Sequence, residues 1–566
     1  MGDIMNYVAG FFLKWTAALC LLCWSLPALA GAELQRPTTA GPIEGTLLAD
    51  GAIQAWLGVP YAKPPVGALR WRAPQTPEAW TTPLKTQAMA PVSLQMKGKT
   101  PVGSEDCLYL NVFRPNDQSA NLPVLFFLHG GNNQTGSAAF FDGALIAEKT
   151  RSVVVTVNHR LNALGWLNIK AVKTGDPVED SGNFGLLDIR KALAWVHDNA
   201  AFFGGDKTNI SVCGFSSGAR NALCMVISPL FKNSFHKLIT FSGGMTTSTP
   251  EDGARIATKA LAQLVLEDKK AATEREAIDW LNSATPEVAA YLRNLPAERF
   301  APLMANANIR MGVFPHLFTD GATLPADGFA AVERGQYNKV PMLFTSGADE
   351  FTVKANADPY FADTRASLDD PRKEKEYAFA TKYGSMLFGY INAERNAMLF
   401  SAVKGQPPVF ASRFLWGANP LVVGEKAGKL IGGTHGMDIC ILLEQERPAF
   451  KVSDEIFSAD NKPGRQAMAR LLQGYLGNFM RTGDPNGVGL PRWDPWSNAA
   501  GHSGLLFIDA DKTTATARMG ARIVREQDVF RQMREDDGLS PERKEFIVKH
   551  ILNGRFFSNN LDMLWR

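Results

Sequence analysis

A serine that acts as a nucleophile needs an outward hydroxyl, a base to take its proton, and donors for the charge it creates. The stretch Asn209-Ile-Ser-Val-Cys-Gly-Phe-Ser-Ser-Gly-Ala219 offers the first of these. Its β-branched run Ile210–Val212 breaks at Gly214, and a helix-forming run follows from Arg220 to Ile227. Gly214-Phe215-Ser216-Ser217-Gly218 is therefore a G-x-S-x-G pentapeptide at a strand–turn–helix junction. So sharp a turn strains the central serine and turns its hydroxyl outward, while the flanking glycines relieve the crowding. The first N–H groups and the positive dipole end of the new helix point at the same spot, which suits an oxyanion. The pentapeptide alone also describes a glycine-rich turn between two core elements. The other parts have to be found.

Eight histidines could supply the base. His129 stands beside a glycine pair, His197 lies within a helical run, and His236 and His316 sit among bulky apolar neighbours. His502 and His550 are near the C-terminus. His435 differs, because Gly432-Gly433-Thr434-His435-Gly436-Met437-Asp438 places it on a glycine-flanked loop after a strand. A carboxylate partner there is expected to move the imidazole upward from ~6.5. The acid should precede the histidine at the end of another strand, as in α/β-hydrolases. Ser346-Gly347-Ala348-Asp349-Glu350 supplies two candidates, Asp349 and Glu350. For the oxyanion, Gly130-Gly131-Asn132 follows the apolar run Leu122–Leu128, and the N–H groups of Gly131 and Asn132 would act with that of Ser217.

These loops need a rigid edge to stand on. Leu122–Leu128 and Ser152–Asn158 are apolar without alternation, as in strands buried on both faces of a mostly parallel sheet. Further strands are expected at Gly45–Leu48, Ile53–Leu57, Cys107–Phe113, Lys237–Phe241, Val340–Thr345, Phe410–Trp416 and Leu505–Ile508, with a helix over Asp188–Ala201. The intervals near 250–310 and 355–405 read as helical and polar on one face, which fits a helical cap over the carboxyl ends of the strands. The expected fold class is α/β, an α/β-hydrolase with a mostly parallel central sheet and helices on both faces. It occupies residues 31–528, and residues 529–566 form a C-terminal helical tail that starts a helix at Ser540-Pro541.

The formal net charge of the 566-residue chain is +3, too small a basic excess to suggest a nucleic-acid surface. Lys14, the apolar run Trp15–Leu26 and Ala28-Leu29-Ala30 follow the order of a secretory signal, residues 1–30, with cleavage after Ala30. The run is shorter than the ~20 residues of a spanning helix, so export to a secreted or periplasmic location without a stable membrane anchor is expected. Cys107, Cys213, Cys224 and Cys440 remain in the mature chain with no zinc-ligand spacing. Nothing in this layout brings Cys107 near the other three, and a free thiol is expected there.

The chain resembles the type-B carboxylesterases, the family that includes the cholinesterases, over about residues 40–510. The resemblance rests on Gly58–Gly67, Ser104–Phe113, His129–Gly131, Asn158–Leu161, Gly182–Asp188, Phe203–Asp206, the Ser216 turn, Asp320-Gly321, Asp349-Glu350, the His435 loop and Asn478–Asn486. It implies a triad of Ser216, Glu350 and His435, with Glu350 preferred because the family's acid is the second of the pair. It also implies two structural ion pairs, Arg70 with Glu105 and Arg160 with Asp188. The implied reaction is hydrolysis of a small-molecule carboxylic ester through an acyl-enzyme, with no metal or cofactor. The rival is an adhesion or binding member that keeps the fold without the chemistry, and the complete triad speaks against it.

Four positions depart from the family. Asn132 stands where a third small residue is usual, and Phe215 stands where a glutamate precedes the nucleophile. Cys107 lacks its upstream partner, Val92 being near the expected place, and the loop from Val92 to Cys107 is short and without tryptophan. A cationic alcohol would lose its ionic and cation–π partners. Phe215 is accordingly expected to bind uncharged or aromatic alcohol groups, unless it points into the core.

Overall fold

Leu122–Leu128 is buried along its whole length, as an unbroken apolar strand must be when helices cover both faces of its sheet. In the computed structural model of the chain, which describes residues 34–305, 312–362, 368–446, 456–499, 504–520, 525–555 and 561–565, this strand lies within an eleven-stranded sheet. The expected signal segment lies outside the described residues. In chain order the strands are Thr46–Leu48 (β1), Ile53–Pro60 (β2), Tyr109–Pro115 (β3), Leu122–Leu128 (β4), Val153–Val157 (β5), Gly205–Phe215 (β6), Lys237–Phe241 (β7), Met342–Gly347 (β8), Val409–Phe414 (β9), Leu505–Ala510 (β10) and Ala515–Gly520 (β11). Across the sheet they run β11-β10-β9-β8-β7-β6-β4-β5-β3-β2-β1. Every pairing from β5 to β10 is parallel, and antiparallel pairs occupy the two flanks.

Alternation along each strand sends successive side chains to opposite faces. Val124, Phe126 and Leu128 enter one core with Leu186, Ile189 and Leu193 of the helix Phe184–Asn199 (α1). Leu125 and Phe127 enter a second core on the opposite face. The helix that follows the β6 turn is Ser217–Ile227 (α2). Helices Pro250–Glu267 (α3), Glu274–Ser283 (α4) and Pro286–Asn294 (α5) fall within the first expected insertion. Thr249 caps α3 ahead of Pro250, and Thr273 with Glu276 forms a capping box on α4. Thr352–Ala357 (α6) and Pro371–Gly389 (α7) belong to the second. Met437–Leu442 (α8) leaves the His435 loop, and Lys462–Thr482 (α9) covers the second core with Leu471, Leu476 and Phe479.

The tail is docked. Val529, Phe530 and Met533 of Glu526–Glu535 (α10) share a core with Phe351, Ala355, Tyr377 and Tyr383. Pro541–Ile547 (α11) and the turn after it add Ile547, Val548, Ile551 and Leu552. Ser540 caps α11 with Pro541 in its first turn. β11 was not expected, because Ala-Thr-Ala-Arg carries no apolar run; it is a half-exposed flank strand held by its antiparallel neighbour.

Both implied ion pairs are present. Arg70 meets Glu105 at 2.5 and 2.8 Å, and Arg160 meets Asp188 at 2.6 and 2.8 Å with both groups buried. Cys107, Cys213, Cys224 and Cys440, the cysteines among the described residues, are buried free thiols. Burial pushes the Cys107 thiol up to about 12, which keeps it protonated and unreactive. Among the described residues no helix is long and apolar enough to cross a membrane.

Candidate active site

The carboxyl ends of β4, β6, β7 and β8 stand side by side, so loops leaving them meet at one edge. Ser216 follows β6 with φ 55° and ψ −116°, a strained conformation for any residue but glycine. Its N–H is held by the carbonyl of Phe241 at 2.8 Å, and its carbonyl accepts from Arg220 at 3.1 Å as α2 begins. The flanking glycines are required by space. A Cβ on Gly214 would stand 2.3 Å from the Gly218 carbonyl oxygen, and one on Gly218 would stand 2.1 Å from that of Leu128. Ser216 Oγ lies 2.9 Å from His435 Nε2, and His435 Nδ1 lies 2.5 Å from Glu350 Oε2. These three residues are thus one hydrogen-bonded line.

Glu350 is fully buried, and its Oε1 accepts from Ser242 Oγ at 2.5 Å, Ser346 Oγ at 2.8 Å and the Gly347 N–H at 2.8 Å. Burial alone would raise its pKa; the His435 charge and these donors outweigh it and hold the carboxyl down at about 2. Ser242 and Ser346 were missed in the sequence. Their signal was there: each is a hydroxyl at or just past the end of an apolar strand, where a core residue would be expected.

Asp349, the rejected neighbour, faces the other way. Its carboxylate accepts from the Gly433 N–H at 2.8 Å and its own N–H reaches the Gly433 carbonyl at 3.1 Å. It pins the histidine loop, as does Thr352, whose hydroxyl meets Thr434 Oγ1 at 2.8 Å.

On the other side of Ser216, Gly131 and Asn132 have φ values of 111° and 58°. Asparagine tolerates the left-handed region better than most residues, which is how this chain departs from a third small residue there. Among the described residues the N–H groups of Gly131 and Asn132 have no hydrogen-bond partner. Ser217 is the first residue of α2, so no helical carbonyl reaches its N–H either. The loop is locked to α2 by side chains. Asn133 N–H donates to Ser217 Oγ at 3.1 Å, Asn133 and Asn221 exchange two bonds of 2.9 Å, and Arg220 donates to Asn132 Oδ1 at 2.7 Å.

The structure places Phe215 against the imidazole. Its ring centroid is 5.1 Å from that of His435 and 5.4 Å, stacked, from Phe140, and the residue is 5% exposed. It shares the second core with Phe241. A ring in that position buttresses the imidazole. The imidazole itself departs from expectation: its pKa lies below the ordinary 6.5. Burial is the largest cause; Glu350 pulls it upward, while the nearby charges of Lys354 and Arg220 reinforce burial. Among the described residues no group of histidines, cysteines and acids could hold a metal ion.

A serine on a strand–helix elbow, in line with a histidine and a carboxylate at the carboxyl edge of a mostly parallel sheet, defines an α/β-hydrolase. Residues 32–397 match the carboxylesterase family, and the chain belongs to that family and is a serine carboxylic ester hydrolase. It is 28% identical to carboxylesterase 1D of Rattus norvegicus, over 87% of this chain and 92% of that protein. It is 33% identical to the para-nitrobenzyl esterase of Bacillus subtilis, over 55% of this chain and 62% of that protein. The solved structure of a carboxylesterase from Geobacillus stearothermophilus superposes with a TM-score of 0.67 at 25% identity, covering 86% of this chain and 97% of that one.

Proposed function

We propose that hydrolysis proceeds through an acyl-enzyme on Ser216, with His435 as general base, Glu350 as its orienting acid and the N–H groups of Gly131, Asn132 and Ser217 as the oxyanion hole. The hydrogen-bonded line Ser216–His435–Glu350 carries this reading. Ser216 Oγ attacks the ester carbonyl carbon as its proton passes to His435 Nε2. The tetrahedral oxyanion would be held by the partnerless N–H groups, and the imidazolium then protonates the departing alcohol. Water, deprotonated by the same nitrogen, attacks the acyl-enzyme and releases the acid. None of these steps calls for a metal or cofactor. The order of groups in the amino-terminal thirty residues supports a secreted or periplasmic enzyme.

The expected preference for uncharged or aromatic esters rests on Phe215 meeting the alcohol, and the position of its ring beside His435 and next to Ser216 supports it. A cationic alcohol is disfavoured in the same reading, since no carboxylate adjoins the nucleophile in sequence. The test is a burst of p-nitrophenol from a p-nitrophenyl ester, one equivalent per active site, followed by slower turnover. Its absence, with folded protein and no labelling by a phosphonate ester, would favour the inactive binding member instead.

A further inference from the structure

The loop that carries the Gly131 and Asn132 N–H groups holds a chain of side-chain hydrogen bonds that ends in the first insertion. Arg220 Nη2 of α2 donates to Asn132 Oδ1 at 2.7 Å, Asn132 Nδ2 donates to Gln134 Oε1 at 3.1 Å, and Gln134 Nε2 donates to the Met304 carbonyl at 2.8 Å. A guanidinium only donates and a backbone carbonyl only accepts, so the two ends fix which way round both amides lie. Every link runs in the same direction, an arrangement in which successive bonds strengthen one another.

Both ends of the chain are well anchored. Arg220 is buried in the first turn of the helix that follows Ser216. Met304 closes a turn that begins at Phe300, whose ring meets Trp71 at 5.2 Å in the cluster of Leu261 of α3, Leu281 of α4 and Leu292 of α5. Met304 packs on that cluster and on the first sheet core as well. Between the anchors the backbone is under constraint. Asn132 has φ 58° and Met304 φ 55°, a region that side chains other than glycine seldom adopt. With both polar atoms of its amide engaged, the Asn132 side chain has one position, and its Cα and N–H are held with it. The main chain adds a turn of its own, in which the Gln134 and Thr135 N–H groups share the Gly131 carbonyl at 3.0 Å each. That turn closes the loop without tying it to the insertion, which Gln134 does.

We propose that Gln134 is a positioning residue for the oxyanion hole. Through Asn132 it holds a donor N–H in register with Ser216, and through Met304 it makes the first helical insertion part of that alignment. The inference rests on the oxyanion hole proposed above and adds to it a residue that acts through another. Its effect belongs to the transition state, because the hole is filled only when the carbonyl oxygen takes on charge.

The test separates tetrahedral from ground-state binding. With hexyl trifluoromethyl ketone, Ser216 Oγ bonds to the ketone carbon, its proton passes to His435 Nε2, and the carbonyl π pair becomes an oxyanion in the hole. Hexyl trifluoromethyl carbinol has nearly the same shape and cannot add. Gln134→Met removes both amide bonds at similar size and should lower kcat/KM for p-nitrophenyl butyrate by about tenfold or more. It should weaken inhibition by the ketone by a similar factor and leave that by the carbinol unchanged. Gln134→Glu keeps the acceptor facing Asn132 but turns a carboxylate oxygen toward the Met304 carbonyl, so it should lose as much. Asn132→Gly tolerates the left-handed backbone while breaking the chain at its first link. Combined with Gln134→Met, it should weaken the ketone no further than the worse single variant, because Gln134 acts through Asn132. A ketone-to-carbinol ratio that neither Gln134 variant moves overturns the proposal, and so does full additivity in the double variant. A wild-type ratio in Gln134→Glu alone overturns the part given to the insertion. On wild type, a ketone no tighter than the carbinol would sink the oxyanion-hole reading itself, whereas a tight ketone with unmoved variants sinks the role of Gln134 alone.

Discussion

The two sides of His435 are held by different kinds of structure. On the nucleophile side, strand β6 and the Ser216 elbow are fixed mainly by main-chain geometry: strand register, a positive φ and glycines that no larger residue could replace, with the glycine loop after β4 tied to the adjoining helix α2 by Asn133, Asn221 and Arg220. On the acid side, the turn from Ser346 to Ala357 is fixed by side chains from remote parts of the chain. Ser242 holds Glu350, Thr434 holds Thr352, Arg413 reaches the Gly347 carbonyl at 3.3 Å, and Arg555 of the tail packs 5.4 Å from the Phe351 ring while pairing with Asp358. The elbow is a local solution, set by glycines at fixed offsets between a strand and a helix. The acid side depends on long-range packing, so it can be tuned.

The sharpest contrast comes from the residues that react. Ser216→Ala should abolish turnover and leave the fold intact, since the elbow accepts a smaller side chain without altering the main chain. A phosphonate ester should label Ser216 and leave Ser217 unmodified, because Ser217 Oγ is committed to the Asn133 N–H. Peptide mapping with the label on Ser217 would refute the register of the elbow. On the acid side, Glu350→Gln should cost on the order of 10³-fold or more in kcat, as loss of the orienting charge does in other triads. Asp349→Asn should cost far less, because its carboxylate holds a loop N–H and does not touch the imidazole. The reverse ranking would transfer the acid role.

That difference also explains what could be read from the sequence. Ser216, His435 and the glycine loop were legible because their chemistry demands local patterns, glycines at fixed offsets between an apolar strand and a helix. Val153–Val157 and Lys237–Phe241 were legible because unbroken apolar runs have few other solutions. Choosing Glu350 over Asp349 needed the family resemblance, since two adjacent acids on one turn differ only in which way each faces. Ser242, Asn133, Lys354 and Arg555 were not picked out, because each gains its meaning from a partner in another element. Phe215 shows the same limit. Its place beside the nucleophile was evident, but whether the ring meets substrate or imidazole depends on Phe140, seventy-five positions earlier.

The tail offers a smaller effect that separates stability from chemistry. Arg555→Met strips Asp358 of a buried ion-pair partner and should destabilise the protein by about 3–5 kcal/mol. Chemical denaturation would measure it. In the folded fraction, phosphonate labelling of Ser216 should change much less than kcat does in Glu350→Gln, because the elbow does not depend on the tail. A variant as stable as wild type would mean that the tail is merely laid on the surface of the acid side.

The smallest expected effect lies in the pH profile, and it weighs the two sides of the imidazole against each other. Only neutral His435 can take the Ser216 proton, so kcat/KM for an uncharged ester must fall as the imidazole becomes protonated. Glu350 favours the imidazolium and pulls the titration upward; burial, with Lys354 and Arg220, disfavours it and wins. The midpoint of the acid limb in the free enzyme should therefore lie below 6.5, the ordinary histidine value. Removing one opposing cation, as in Lys354→Met, should move that limb to higher pH by relieving the imidazolium of a like charge. Measured with p-nitrophenyl 4-methylpentanoate, whose charge does not change, a wild-type limb above 6.5 would mean that the acid side dominates after all. A limb that stays fixed in Lys354→Met would show that the ammonium lies too far from the imidazole for its charge to be felt.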